Sequence, residues 1–407
     1  MHRRVLTLSF LQSFALTLYE RGIYFFLDER FGFTPTQNLL VAVAYGVVYV
    51  AGAMLSHRLA DRLGERRAAT LLTAAAVALG IACAAEPTPT AILVAFPLAA
   101  FAYGAAWPVF YSYGSAGLSG RGAIRGIGRL NLSWAVAIPV ALAVTGPILE
   151  AAPRGLFALA AFTTLIVVGI AWSLPAAPAR LPDDHPDHPP ASEQARLRRL
   201  LASSRWTMLM SFAMVFLIAP LLPEILLRRL GLPLWSATLL AAGIDLARVV
   251  AFAVMQRTTS WRHSAPLLVL AAAAVPVGFY LVLLGGSVGT VLLGSLLLGA
   301  SNGVVYFAGI YHAIVLSNAS VDAGGKHEGL VGVSLTVGPG AGLMTQAVTP
   351  VLGAATALAV VTGPIVALPG FLALRALVPP RHDPRSGEPR KKPPRMASVP
   401  ESTGADT

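Results

Sequence analysis

Charge is what this sequence has least of. Only 12% of its 407 residues are Asp, Glu, Lys or Arg, against roughly 25% in a soluble globular domain. A compact water-exposed body with an ordinary charged surface is therefore excluded. Lysine is scarcer still, with Lys326, Lys391 and Lys392 the only three. One cysteine, Cys83, rules out an intramolecular disulfide and says nothing about redox compartment. No G-x-x-x-x-G-K-[ST] loop is present, so direct ATP coupling of the P-loop kind is not expected. No nucleophile–base constellation or metal-spaced histidine cluster falls within an apolar segment. An enzyme is accordingly not expected, nor is a cofactor.

What the chain has instead is apolar length. Hydrophobic residues make up 56% and the mean hydropathy is +0.68. Runs of about 20 apolar residues recur throughout, the pattern of a polytopic α-helical membrane protein embedded in a lipid bilayer. The alternating segments of about 10 residues that mark a membrane β-barrel are absent. Spans are expected at 5–27, 37–57, 68–86, 90–113, 129–149 and 155–175, then at 206–229, 235–256, 264–286, 288–312, 329–349 and 353–378. The first run follows Met1-His2-Arg3-Arg4. It is longer than a signal-peptide core of about 7–15 residues and lacks a small-residue cleavage site, so it reads as a retained helix.

The net charge of +11 is distributed as an orientation signal, not as a nucleic-acid surface. One side collects Arg3, Arg4, Arg58, Arg62, Arg66, Arg67, Arg121, Arg125, Arg257, Arg262, Lys326 and Arg381. The other holds Arg30, Arg154, Arg228 and Arg229. Both termini and the middle loop are thus expected in the cytoplasm. The arginine- and alanine-rich composition fits a bacterial cytoplasmic (inner) membrane, and nucleic acid is not an expected partner.

The segment PAAPARLPDDHPDHPPASEQARLRRL (175–200) divides the spans six and six. Its DDHPDH core (183–188) invites a metal reading, but prolines interrupt it and nothing fixes ligand geometry; a solvated linker is the expectation. The expected organisation is a six-helix bundle at 1–175, a cytoplasmic linker at 176–204, a second bundle at 205–380 and a disordered basic tail at 381–407. The halves faintly repeat: Gly46 matches Gly243, Gly104 matches Gly303 and Gly146 matches Gly338, each pair about half the chain apart. Such a repeat with a central loop is a transporter architecture whose solute site lies between the halves.

The loop between the second and third spans reads LSHRLADRLGERRAAT (55–70). It resembles the signature loop of the major facilitator superfamily, G-x-x-x-D-R-x-G-R-R, through Asp61, Arg62, Gly64, Arg66 and Arg67. His57 stands for the leading Gly, and Glu65 replaces the first basic residue after Gly64. The resemblance implies twelve transmembrane helices in two pseudo-symmetric six-helix bundles, an all-α fold. It also implies that these five residues serve a cytoplasmic gate, the aspartate pairing at the end of a neighbouring helix. The superfamily's Gly-Pro motif is partly matched around Gly146 and Pro147, and more fully in SLTVGPGAG (334–342). Both stretches read as helix packing and bending sites. ERGIY (20–24) partly resembles the first-span motif of proton-coupled oligopeptide transporters, but Thr17 replaces its first Glu and Gly22 its Phe.

Ionisable residues inside spans are expensive and tend to face a partner or a cavity. Glu20 and Arg21 lie in the outer half of the first span. Adjacent helical residues point about 100° apart, so the two cannot both sit squarely on one face. They either close an ion pair at the cavity mouth or line the solute path. Asp245 and Arg248, three apart in the eighth span, can pair on nearly one face. Tyr24, Trp107, Asn131, Trp134, Asn302, Tyr306 and Tyr311 are candidate lining residues. His327 and Glu328 sit at or just before the start of the eleventh span, as a gate or a plain helix start.

The resulting expectation is a monomeric secondary active transporter moving a small organic solute by alternating access with protons. Asp245 or Glu20 would carry the proton, with Arg21 or Arg248 as counter-charge, and an anionic or zwitterionic solute is favoured over a bare cation. A multidrug-type exporter is the transport alternative. A non-transporting membrane sensor or scaffold is the alternative of another kind.

Overall fold

The computed structural model describes residues 2–115, 120–179, 191–316 and 321–379. The DDHPDH segment and the basic tail lie outside the described residues. Every regular element among the described residues is helical.

The first half holds α1 (His2–Glu20), α2 (Gly22–Phe31), α3 (Pro35–Leu63), α4 (Glu65–Ala85), α5 (Pro89–Ser115), α6 (Gly120–Ala151) and α7 (Gly155–Trp172). The second holds α8 (Ala191–Ile218), α9 (Leu234–Ala241), α10 (Gly243–Arg257), α11 (Ala265–Leu284), α12 (Val288–Leu316), α13 (Val321–Leu352) and α14 (Ala354–Leu377). Twelve spans result. The first span is α1 continued by α2. The seventh is α8 extended by a short irregular helix, Glu224–Arg229, beyond Pro220 and Pro223. The eighth is α9 continued by α10.

Local chemistry sets the boundaries. Thr34 caps α3 in a reciprocal box with Gln37, and Pro35 follows at the first helical position. Gly64 joins α3 to α4 at φ 80°, a conformation L side chains resist, so the signature-loop glycine is needed for its backbone. Gly353 does the same between α13 and α14 at φ 75°.

Two expected boundaries move. The linker expected to run to residue 204 is shorter, because α8 already begins at Ala191. Its first turns are tied to the neighbouring loop by Arg196, which donates to the His263 carbonyl at 3.0 Å, and by Glu193, 3.4 Å from His263. The eleventh span starts at Val321, which places His327 and Glu328 two turns inside α13 and buries them both. Low hydropathy concealed this. Ten helices are long and apolar enough to cross a membrane among the described residues, and α1, α2 and α13 are not among them. The first and eleventh spans carry Glu20, Arg21 and Glu328, while Asp245 and Arg248 lie on α10, within one of the ten.

The halves meet where α13 packs on α3 and α5, and where α6 packs on α9 and α10. Small residues permit the approach. A Cβ added to Gly46 on α3 would stand 2.5 Å from the Leu335 carbonyl of α13, and one on Gly146 of α6 would stand 2.6 Å from the Trp235 Cα of α9. Gly338 likewise faces the Ala213 backbone of α8. The two Gly-Pro stretches are therefore points of backbone contact between helices.

Gly46→Leu should lower the melting temperature of the purified protein by several degrees, since overpacking a close contact costs about 1–3 kcal/mol. Gly340→Ala, where an added Cβ meets nothing within 4 Å, should leave it unchanged.

Candidate functional site

Between the halves lies a cavity of about 80 Å³. Its charged lining comprises Glu20 and Arg21 from the α1–α2 junction, Arg248 from α10 and Glu328 from α13. Aromatic side chains supply much of the wall: Tyr49 of α3, Trp107 and Tyr111 of α5, Trp134 of α6, Phe212 and Phe216 of α8, and Tyr306 of α12. Ser13 and Thr17 of α1 complete the polar lining.

The first span is interrupted where the charges sit. α1 ends at Glu20 and α2 starts at Gly22, with Arg21 between them at φ −112°. Both side chains line the same cavity despite being consecutive. Arg21 is only 6% exposed, and its guanidinium lies 5.9 Å from the centre of the Phe216 ring. Its Nη1 has no hydrogen-bond partner among the described residues.

Asp245 and Arg248 do pair, at 2.9 Å, with both side chains buried. Asp245 occupies the first turn of α10, where the helix dipole favours a carboxylate. The contact is an ion pair without hydrogen-bond alignment: the Asp245 oxygens and Arg248 Nε and Nη2 make no hydrogen bond among the described residues. Arg248 faces the cavity over Phe212 and Trp134, at 5.5 and 5.9 Å from their ring centres. Asp245 stands behind it and does not line the cavity.

Glu328 is held across the interface. It accepts from the Tyr49 hydroxyl of the first half at 2.7 Å and from the Tyr306 hydroxyl of its own half at 3.3 Å. Tyr306 in turn hydrogen-bonds Tyr111 of the first half. The chain Tyr49–Glu328–Tyr306–Tyr111 thus crosses between the halves twice. His327, fully buried, packs its ring 4.6 Å from that of Tyr306.

The other sequence candidates divide. Trp107, Trp134 and Tyr306 line the cavity. Asn131 stands behind Trp134 and accepts its indole N–H at 3.2 Å, which fixes the ring. Asn302 is buried and donates to Ser211 at 2.8 Å, while Tyr24 is buried in the core; neither lines the cavity. Tyr311 lies away from it, under the Arg262 guanidinium. The signature-loop residues are remote as well. Asp61, Arg62 and Arg67 are exposed, and Arg66 lies over the Trp172 ring at 5.5 Å. Sequence reasoning missed Tyr49, Tyr111, Phe212 and Phe216, aromatics in apolar spans with nothing local to separate them from packing residues. Three polar contacts join the halves on the side away from the signature loop. There Asp28 meets Arg228 at 2.7 Å, Thr36 meets Gln346 at 2.5 Å, and Glu150 accepts from the Trp235 amide at 3.2 Å.

The family model of the Major Facilitator Superfamily matches residues 5–343. The chain belongs to the major facilitator superfamily. It is an integral membrane transporter, not an enzyme. Among solved structures of the superfamily's fold, the human organic anion transporter MFSD10 (TETRAN) superposes with a TM-score of 0.67 at 16% identity, covering 91% of this chain and 99% of that one. The nucleoside transporter NupG gives a TM-score of 0.64 at 13% identity, covering 92% and 98%. A curated relative, the inner membrane transport protein RhmT of Escherichia coli (strain K12), is 34% identical over 150 residues, 36% of this chain. That match spans 33% of the relative's length.

In this superfamily member the Asp245–Arg248 pair predicts its own mutational signature. Asp245→Ala leaves a buried guanidinium uncompensated and should cost about 3–5 kcal/mol. The double variant Asp245→Leu with Arg248→Met should melt close to wild type. Thermal unfolding of the purified proteins measures both.

Proposed function

We propose that the protein is a proton-coupled secondary transporter that carries a small anionic or zwitterionic organic solute by alternating access. In this reading it sits in a bacterial cytoplasmic membrane as a monomer, with both termini and the signature loop in the cytoplasm. The bundles at 1–175 and 205–380 rock about the cavity.

One observation carries the coupling: Glu328 is a buried carboxylate that lines the cavity and holds both halves through tyrosine hydroxyls. Ionised, it accepts from Tyr49 and Tyr306 together. Once protonated it becomes a donor on one oxygen and loses acceptor capacity, so the bond across the interface is weakened. Proton transfer is thereby tied to a contact that must break when the halves move. Asp245 suits this role less well, being held behind Arg248, out of the cavity. Glu20 lines the cavity and remains a second proton acceptor in this reading, with Arg21 and Arg248 as the counter-charges.

The aromatic walls taken alone suit an exporter of apolar drugs. Four charged lining groups argue against that cargo, because an apolar body would strip them of partners without replacing any.

Glu328→Gln, in proteoliposomes with an imposed pH gradient, should abolish uphill accumulation of the transported solute and retain solute-for-solute exchange. Wild-type accumulation by the variant would overturn the coupling.

A further inference from the structure

We propose that Arg21 and Arg248 form a single carboxylate-binding subsite that closes across the two halves, so that the solute is an organic monocarboxylate with a flat apolar body. The inference rests on the transporter reading above and names its cargo.

Two guanidiniums face one cavity from opposite halves, Arg21 at the α1–α2 junction and Arg248 on α10. Both are more than nine-tenths buried, at 6% and 2% exposure. A guanidinium carries five N–H donors in a planar fork. Arg248 commits Nη1 to Asp245 and leaves Nε and Nη2 unbonded, while Arg21 leaves Nη1 unbonded. Buried donors without acceptors are costly and rare. Glu20 and Glu328 line the same cavity, yet among the described residues neither supplies those acceptors; Glu328 accepts from tyrosine hydroxyls. A carboxylate entering between the arginines brings two oxygens and up to four acceptor positions, one oxygen for each half.

The rest of the ligand follows from what flanks the forks. Phe216 lies beneath Arg21, and Phe212 and Trp134 beneath Arg248. These rings hold the guanidinium planes and extend as an apolar wall past the charged end, which suits a flat body attached to the carboxylate. The charge inventory limits the anion to one unit. Neither lysine nor histidine lines the cavity, Asp245 already offsets part of Arg248, and Glu20 and Glu328 add negative charge of their own. A phosphate monoester dianion would bring twice the negative charge of a monocarboxylate and need a second compensating proton. Tyr49, Tyr111 and Tyr306 are the other titratable side chains facing this space.

The test uses the full chain, purified in detergent, with intrinsic tryptophan fluorescence reporting through Trp107 and Trp134. Benzoate is titrated beside benzamide, benzylamine and phenyl phosphate. Benzoate should bind at least tenfold more tightly than each of the others. Arg21→Gln should weaken benzoate at least tenfold without changing the weak response to benzamide. Arg21→Lys, which keeps the charge but loses the fork, should fall between and serves as the second variant if Arg21→Gln does not fold. The paired variant Asp245→Asn with Arg248→Gln probes the opposite half without stranding a charge and should also weaken benzoate at least tenfold. Benzoate binding no tighter than benzamide, tighter binding of phenyl phosphate, or unchanged benzoate affinity in a folded Arg21 variant overturns the proposal. Binding in detergent needs no gradient. Tight benzoate binding without gradient-driven accumulation would sink the coupling and leave this subsite intact, whereas accumulation of a cation without benzoate binding would do the reverse.

Discussion

The structure depends on compensating charge where water cannot do it. Three carboxylates, Glu20, Asp245 and Glu328, and two guanidiniums, Arg21 and Arg248, are gathered at or just behind one cavity between two apolar helix bundles. An isolated ion there would be driven to neutralise or expel itself. Four of the five charges are answered by a neighbour: Asp245 by Arg248, Glu328 by tyrosine hydroxyls, and the arginines in part by aromatic faces. The compensation is incomplete at the arginines, and that incompleteness gives a solute something to bind.

The same charges explain the shape of the helices that carry them. The first span breaks at Arg21, and the eighth is divided just before Asp245. Interrupted spans of this kind place side chains toward a solute path, as in other transporter architectures. Elsewhere glycine does the structural work. Gly46 and Gly146 bring backbones of the two halves together, and Gly338 packs α13 on α8 within the second half.

Much of this was legible in the sequence. Twelve apolar runs, the basic loops and the signature from Asp61 to Arg67 led to the superfamily, because lipid imposes length and polarity so strictly. The charged members of the site were visible for the same reason: in an apolar span a Glu or an Arg stands out. Glu328 was singled out only as a gate or helix-start residue, because the first turns of α13 carry Asp322, Lys326 and His327 and read as loop. Tyr49, Tyr111, Phe212 and Phe216 escaped for a different reason. An aromatic in an apolar helix looks the same whether it packs or lines a cavity, and only the tertiary arrangement of α3, α5 and α8 separates the two. The signature loop shows the limit of motif reasoning, since Gly64 has a clear backbone role while Asp61 and Arg62 stand exposed at the end of α3.

The charge inventory also links cargo to coupling. With all five groups ionised the set is already negative by one unit. A carboxylate solute worsens that imbalance in a low-dielectric site, so a proton must arrive with it, and the two bindings must favour each other. The most direct measurement is the proton uptake that accompanies benzoate binding to the wild-type protein in weakly buffered detergent solution, read with a pH electrode. Uptake approaching one proton per benzoate bound is the expected result. Saturable benzoate binding with no accompanying proton uptake would contradict the account.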